Sequence, residues 1–135
     1  MTLHDIINKA HEIYEYIEPN HLENTVPWPV VTKEGIYFSK GSSEFTKCEE
    51  YCHEIMHWIY KDYEISMDNY PKDANGRYRF NNGCGWDYRE GRAVVESKIL
   101  FDSFPELTNQ YIFHEEYKKA ADFYKEKIAL NTSNK

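Results

Sequence analysis

The stretch Tyr51-Cys-His-Glu-Ile-Met-His-Trp58 decides how the rest of the chain is read. It lies inside the clearest helical pattern of the sequence, Ser43 to about Tyr63. Phe45, Cys48, Cys52, Ile55, Met56 and Ile59 recur there at the spacing of one buried stripe. Ser42, Ser43 or Thr46 can cap its start, and Thr46 with Glu49 has capping-box spacing. On such a helix His53 and His57 stand at i and i+4. Both imidazoles then share one face, one turn apart, where they can hold a single metal ion. Glu54 follows the first histidine and can reach a water on that ion. In this H-E-x-x-H arrangement the histidines bind zinc and the glutamate is the general base. The plainer reading is a pair of ordinary helix histidines.

Two histidines hold zinc poorly, so a third ligand is expected. Glu90, Glu96, Asp87, His114 and the cysteines are the available side chains. Glu96 is the strongest of them. It interrupts the apolar run Ala93, Val94, Val95, Ile99, Leu100 and Phe101 of a second helix, Asp87 to about Phe104. Burying a carboxylate there is costly without a cation beside it. The plainer reading of Glu96 is an exposed residue near Lys98. Asp87 and Glu90 read more simply as an N-cap and its capping-box partner. Cys48 and Cys52 fall on the apolar stripe and read as small buried residues. Cys84, in a Gly-rich loop, reads as an exposed thiol. With His53, His57 and Glu96 as ligands, one position stays open for water. Tyr78, Tyr88 and Arg77 are candidate donors to the developing oxyanion.

Around these helices, Thr2 to about Glu18 reads as an amphipathic helix, with Leu3, Ile6, Ile7, Ala10, Ile13, Tyr14 and Ile17 inward and Pro19 as its stop. Asn20 to Pro29 reads as irregular. Val30–Thr32 and Ile36–Phe38 read as a hairpin turned at Lys33-Glu34-Gly35, with Gly35 at positive φ. This hairpin can pair with an extended peptide. Asp62 to Gly85 is a long loop, a feature that is often functional. Glu106 to Leu130 reads as one or two helices with Tyr111, Ile112, Tyr117, Ala120, Ala121, Tyr124 and Ile128 inward. Residues 131–135 form a polar tail, and residues 1–130 a single domain.

Composition narrows the function. The net charge of −7 on 135 residues argues against a basic nucleic-acid surface, so no direct nucleic acid binding is expected. Aromatic residues make up 16%, which argues against disorder. No apolar run is long enough for a membrane span, and no signal-peptide pattern opens the chain. Three cysteines give no disulfide framework, so a cytoplasmic setting is expected.

The stretch His53-Glu-Ile-Met-His-Trp58 resembles the H-E-x-x-H-W motif in the zincin-like metallopeptidase domain of ArdC-type antirestriction proteins. Gly76-Arg-Tyr-Arg-Phe80 and Tyr88-Arg-Glu-Gly-Arg-Ala-Val-Val-Glu96 look like that family's G-R-F and Y-A-x-E-E-L-V-A-E. Ala120-Ala-Asp-Phe-Tyr124 is similar to its A-A-D-Y segment. The resemblance spans roughly residues 36 to 124 and implies Glu96 as the third metal ligand. Gly91 and Arg92 depart from the family's E-E, and no counterpart of the family's N-terminal domain, which binds single-stranded DNA, is expected. ImmA/IrrE-type metallopeptidases are a more distant likeness.

The expectation is therefore an α+β, mostly helical, zincin-like fold with a small edge sheet or hairpin. It implies a zinc-dependent metallopeptidase acting on a protein or peptide substrate, with a bacterial mobile element or phage as its expected setting. The alternative is a non-catalytic acidic binding or inhibitor protein with a structural zinc. Tyr51, Trp58, Tyr60, Tyr78, Phe80, Trp86 and Tyr88 are expected to wall the cleft.

Overall fold

Helix α1 (Leu3–Ile13) starts at the capping box seen in the sequence. The Thr2 hydroxyl accepts from the Asp5 amide at 3.3 Å, and the Thr2 amide donates to the Asp5 carboxylate at 2.8 Å. In this computed structural model, residues 1–65, 74 and 85–133 are described, the last three of them by backbone alone. They are mostly helical with one small sheet, an α+β arrangement. By its contacts the chain divides into two units. One is Met1–Glu64 with Ser97–Asn109, the other Ile65–Glu96 with Gln110–Lys135.

In the first unit α1 ends at Ile13, short of the expected stop at Pro19, and Tyr14 is extended. Side-chain bonding accounts for the early stop. Tyr16 stacks on His11 with ring centroids 4.0 Å apart, and its hydroxyl lies 2.7 Å from that of Tyr51. Tyr51 donates to Glu18 at 2.7 Å, and Glu18 also takes His11 at 3.0 Å and His21 at 2.6 Å. The Trp58 indole donates to the Ile17 carbonyl at 2.7 Å. These bonds draw residues 16–21 along the helix that carries Tyr51 and Trp58 instead of into a continued α1. Ile17, expected inward, is 84% exposed as a result.

The same network sets a pH dependence. Burial pushes the Glu18 carboxyl up, but hydrogen bonds from His21, Tyr51 and His11 outweigh it and hold the group below its ordinary 4.5. A depressed folded pKa gives stability that is present above the unfolded value and lost as pH falls through the folded one. Urea unfolding of Glu18→Gln is thus expected to show a deficit against wild type at neutral pH that shrinks in acid. A deficit that grows as pH falls would contradict this origin.

The hairpin forms as expected. Strand β2 (Val30–Thr32) runs antiparallel to β3 (Gly35–Phe38), with Thr32 paired to Gly35 across the turn. Gly35 has φ +140, and a Cβ there would stand 2.3 Å from the Asn20 carbonyl oxygen. That close approach admits a third strand, which sequence reading placed in an irregular stretch. We label it β1 (His21–Glu23). It pairs parallel to β3, giving the order β1-β3-β2. Three residues are too few to show a strand's alternation.

Helix α2 (Glu44–Ile59) packs against both α1 and the hairpin. Of the possible caps, Ser43 is the one used, its hydroxyl accepting from the Thr46 amide at 3.1 Å. Cys48, Tyr51, Cys52, Ile55 and Met56 are buried with Ile6, Ala10, Ile36, Phe38, Leu100 and Phe101. Phe45, expected on the stripe, is exposed. Two acidic residues of α2 are buried as well. Glu50 accepts from the Ser39 amide at 3.0 Å and from its hydroxyl, tying the helix to the end of β3. Glu49 accepts from the Thr108 amide at 3.1 Å, and burial raises its carboxyl.

The expected helix from Asp87 to Phe104 is two helices, α3 (Gly85–Glu96) and α4 (Lys98–Asp102), broken at Ser97. Leu100 and Phe101 of α4 are buried, while Ile99 is exposed. In the second unit α3 packs along α5 (Glu115–Ser133), which a 3-10 turn (Gln110–Phe113) precedes. Val94, Tyr111 and Ala121 form its core, with Val95 and Tyr117 against them. Ile112 and Ile128, expected inward, are exposed. No helix among the described residues is long and apolar enough to cross a membrane.

Candidate metal centre

Helix α2 brings His53 and His57 together as the spacing predicts. Their ring centroids are 5.1 Å apart, inclined at 66°. His53 is 1% exposed and Glu54 8% exposed, so this face is largely removed from water. Tyr51, Cys52, Ile55 and Met56 fix the helix in the core, so the histidine backbone positions are set by packing.

Sequence reasoning missed one contributor to this face. Lys61, just beyond the helix, has φ 56, an uncommon conformation for a residue with a side chain. Its amide donates to the Trp58 carbonyl at 3.2 Å, and the Glu64 amide donates to the Lys61 carbonyl at 3.0 Å. The chain then enters a 3-10 turn (Asp62–Glu64) that carries Asp62 back beside the helix. The Asp62 carboxylate accepts from Nδ1 of His57 at 2.7 Å, with the two side chains 10% and 11% exposed. A lone aspartate after a helix carries no pattern that announces this role.

Cys48 and Cys52 are fully buried, as the stripe implied. Burial pushes the Cys48 thiol up to about 11 and raises Cys52 as well. Neither is among the described side chains suited to hold a metal ion together.

The acidic candidates of α3 belong to the second unit. Asp87 was expected as the N-cap, but the helix begins at Gly85 and Asp87 lies inside it, fully buried. The capping box that explained Glu90 therefore does not exist. Glu90 is instead a buried carboxylate, 9% exposed, in the middle of a helix. Glu96 is the last residue of α3 and takes a hydrogen bond from the Tyr124 hydroxyl. Burial first, then the charge of Glu96, pushes that hydroxyl up to about 12. Tyr88 is packed, its ring 5.1 Å from that of Tyr124 and beneath the Arg92 guanidinium at 5.4 Å. His114 is exposed. Arg77, Tyr78, Phe80 and Cys84 lie outside the described residues.

The aromatics expected to wall a cleft divide by role. Tyr51 is a buried hydrogen-bonding post for Tyr16 and Glu18. Trp58 anchors Ile17 and stacks on Tyr63 at 5.4 Å. Trp86 leans on Tyr117 at 5.9 Å, and Tyr60 is exposed.

Compared with protein-family models, curated proteins and solved structures, the chain matches none of them. The likeness to ArdC-type peptidases rests on the quoted motifs alone.

Proposed function

We propose that the chain is a zinc-dependent metallopeptidase whose ion is held by His53, His57 and a carboxylate of α3, with Glu54 as the general base. The observation that carries this is the buried H-E-x-x-H face of α2, a donor set that suits zinc. Among the described residues, the His, Cys, Asp and Glu side chains suited to hold a metal ion are His53, His57 and Glu90.

Two carboxylates compete for the third place. Glu96 has the family's motif spacing in its favour. Glu90 has the stronger physical case, because it is the more buried of the two and its capping role has fallen away. We assign the third place to Glu90. Bound zinc would polarise a substrate carbonyl and acidify a water molecule. Glu54 takes the proton from that water and passes it to the leaving amine. Tyr78 and Tyr88 are the proposed donors to the developing oxyanion.

Zinc content of separate variants tests the ligand set. His53→Ala and Glu90→Ala are expected to fall from about one equivalent to near zero, while Glu96→Ala keeps its zinc. The reverse result for the two glutamates would return the assignment to Glu96. Zinc retained in His53→Ala would defeat the centre altogether.

A further inference from the structure

We infer that Asp62 is a positioning residue for this centre, holding His57 in the Nδ1–H tautomer and so leaving the Nε2 lone pair as the ligand atom. The inference rests on the metal reading above and extends it to a residue outside the H-E-x-x-H motif.

A carboxylate can only accept, so at 2.7 Å it is Nδ1 of His57 that carries the hydrogen. A neutral imidazole with Nδ1–H has its lone pair on Nε2. The tautomer available to a metal is therefore decided before any ion arrives. Both partners are nearly removed from water, which strengthens a charge-assisted bond and limits rotation of the ring.

Helix electrostatics alone does not explain the placement of Asp62. It follows the C-terminal end of α2, where the macrodipole disfavours a negative charge. The chain also adopts positive φ at Lys61, a residue not suited to it, immediately before Asp62. An unfavourable backbone conformation and an unfavourably placed buried charge coincide at the residue that bonds His57. Orienting the ring is a role that accounts for both.

Two readouts on the full chain test this. The first is ring-nitrogen NMR of the metal-free protein. His57 is expected as the Nδ1–H tautomer in wild type, shifting toward Nε2–H in Asp62→Ala. The second is zinc affinity by competition with a chromogenic chelator. Asp62→Ala is expected to weaken binding about 10- to 100-fold. Asp62→Asn, whose amide oxygen still accepts from Nδ1–H, should fall between that variant and wild type. Glu64→Gln, in the same turn but exposed, should match wild type. Should Asp62→Ala not fold, Asp62→Asn carries both readouts, and an affinity equal to wild type overturns the role. Finding His57 as Nε2–H in the metal-free wild type overturns it too, as does unchanged affinity in a folded Asp62→Ala. A wild-type chain that takes up no zinc overturns the metal reading itself, and this role with it.

Discussion

Glu54→Gln is expected to keep its zinc and lose peptide hydrolysis by about 10²- to 10⁴-fold, the usual contribution of a positioned general base. The substitution keeps the shape of the side chain and removes only its ability to take a proton. Glu54 is 8% exposed on a helix whose neighbours Ile55 and Met56 are core residues. A change of shape there would disturb packing, whereas the amide preserves it. His53 and His57 are untouched, so metal content should match wild type. The measurement pairs zinc analysis with turnover of a mixed fluorogenic peptide set. Equal turnover in both proteins would remove Glu54 from the chemistry. Biological activity retained without turnover would favour the acidic binding protein.

Gly91→Ala is expected to destabilise the second unit by about 3 kcal/mol, the upper end for overpacking. A Cβ at Gly91 would lie 2.0 Å from the Ala120 carbonyl oxygen and 2.9 Å from the Tyr124 Cβ. Neither neighbour is a flexible side-chain end that can swing away, so α3 and α5 would have to separate. Val94, Tyr111 and Ala121, the core between these elements, would loosen with them. Denaturant unfolding followed by tryptophan fluorescence reads the effect, since Trp86 sits on α3 against Tyr117. A midpoint equal to wild type would show that the helices do not approach so closely.

The parts of the fold that local chemistry dictates were legible in the sequence. Helix α2 has a periodic stripe and a serine cap, and the hairpin has β-branched strands around a glycine of positive φ. The H-E-x-x-H face followed from helix geometry alone. What escaped was set by contacts between distant residues. The end of α1 depends on Tyr16 and Glu18 reaching Tyr51, which lies more than thirty residues along the chain. Strand β1 exists because Gly35 admits Asn20. Glu49 has capping-box spacing from Thr46, yet it and its neighbour Glu50 are buried on backbone donors from Thr108 and Ser39. Glu90 was disguised by its spacing from Asp87, which imitates a capping box. Asp62 was hidden because its partner lies across a turn in which Lys61 takes a positive φ.

The central claim is that α2 supplies two imidazoles to a zinc ion completed by oxygen ligands. X-ray absorption at the zinc edge of the purified, zinc-loaded chain tests it most directly. A single shell of nitrogen and oxygen at about 2.0–2.1 Å, with the outer scattering of two imidazoles, is the predicted result. A sulfur shell at about 2.3 Å, or a folded chain with no zinc to measure, would contradict it.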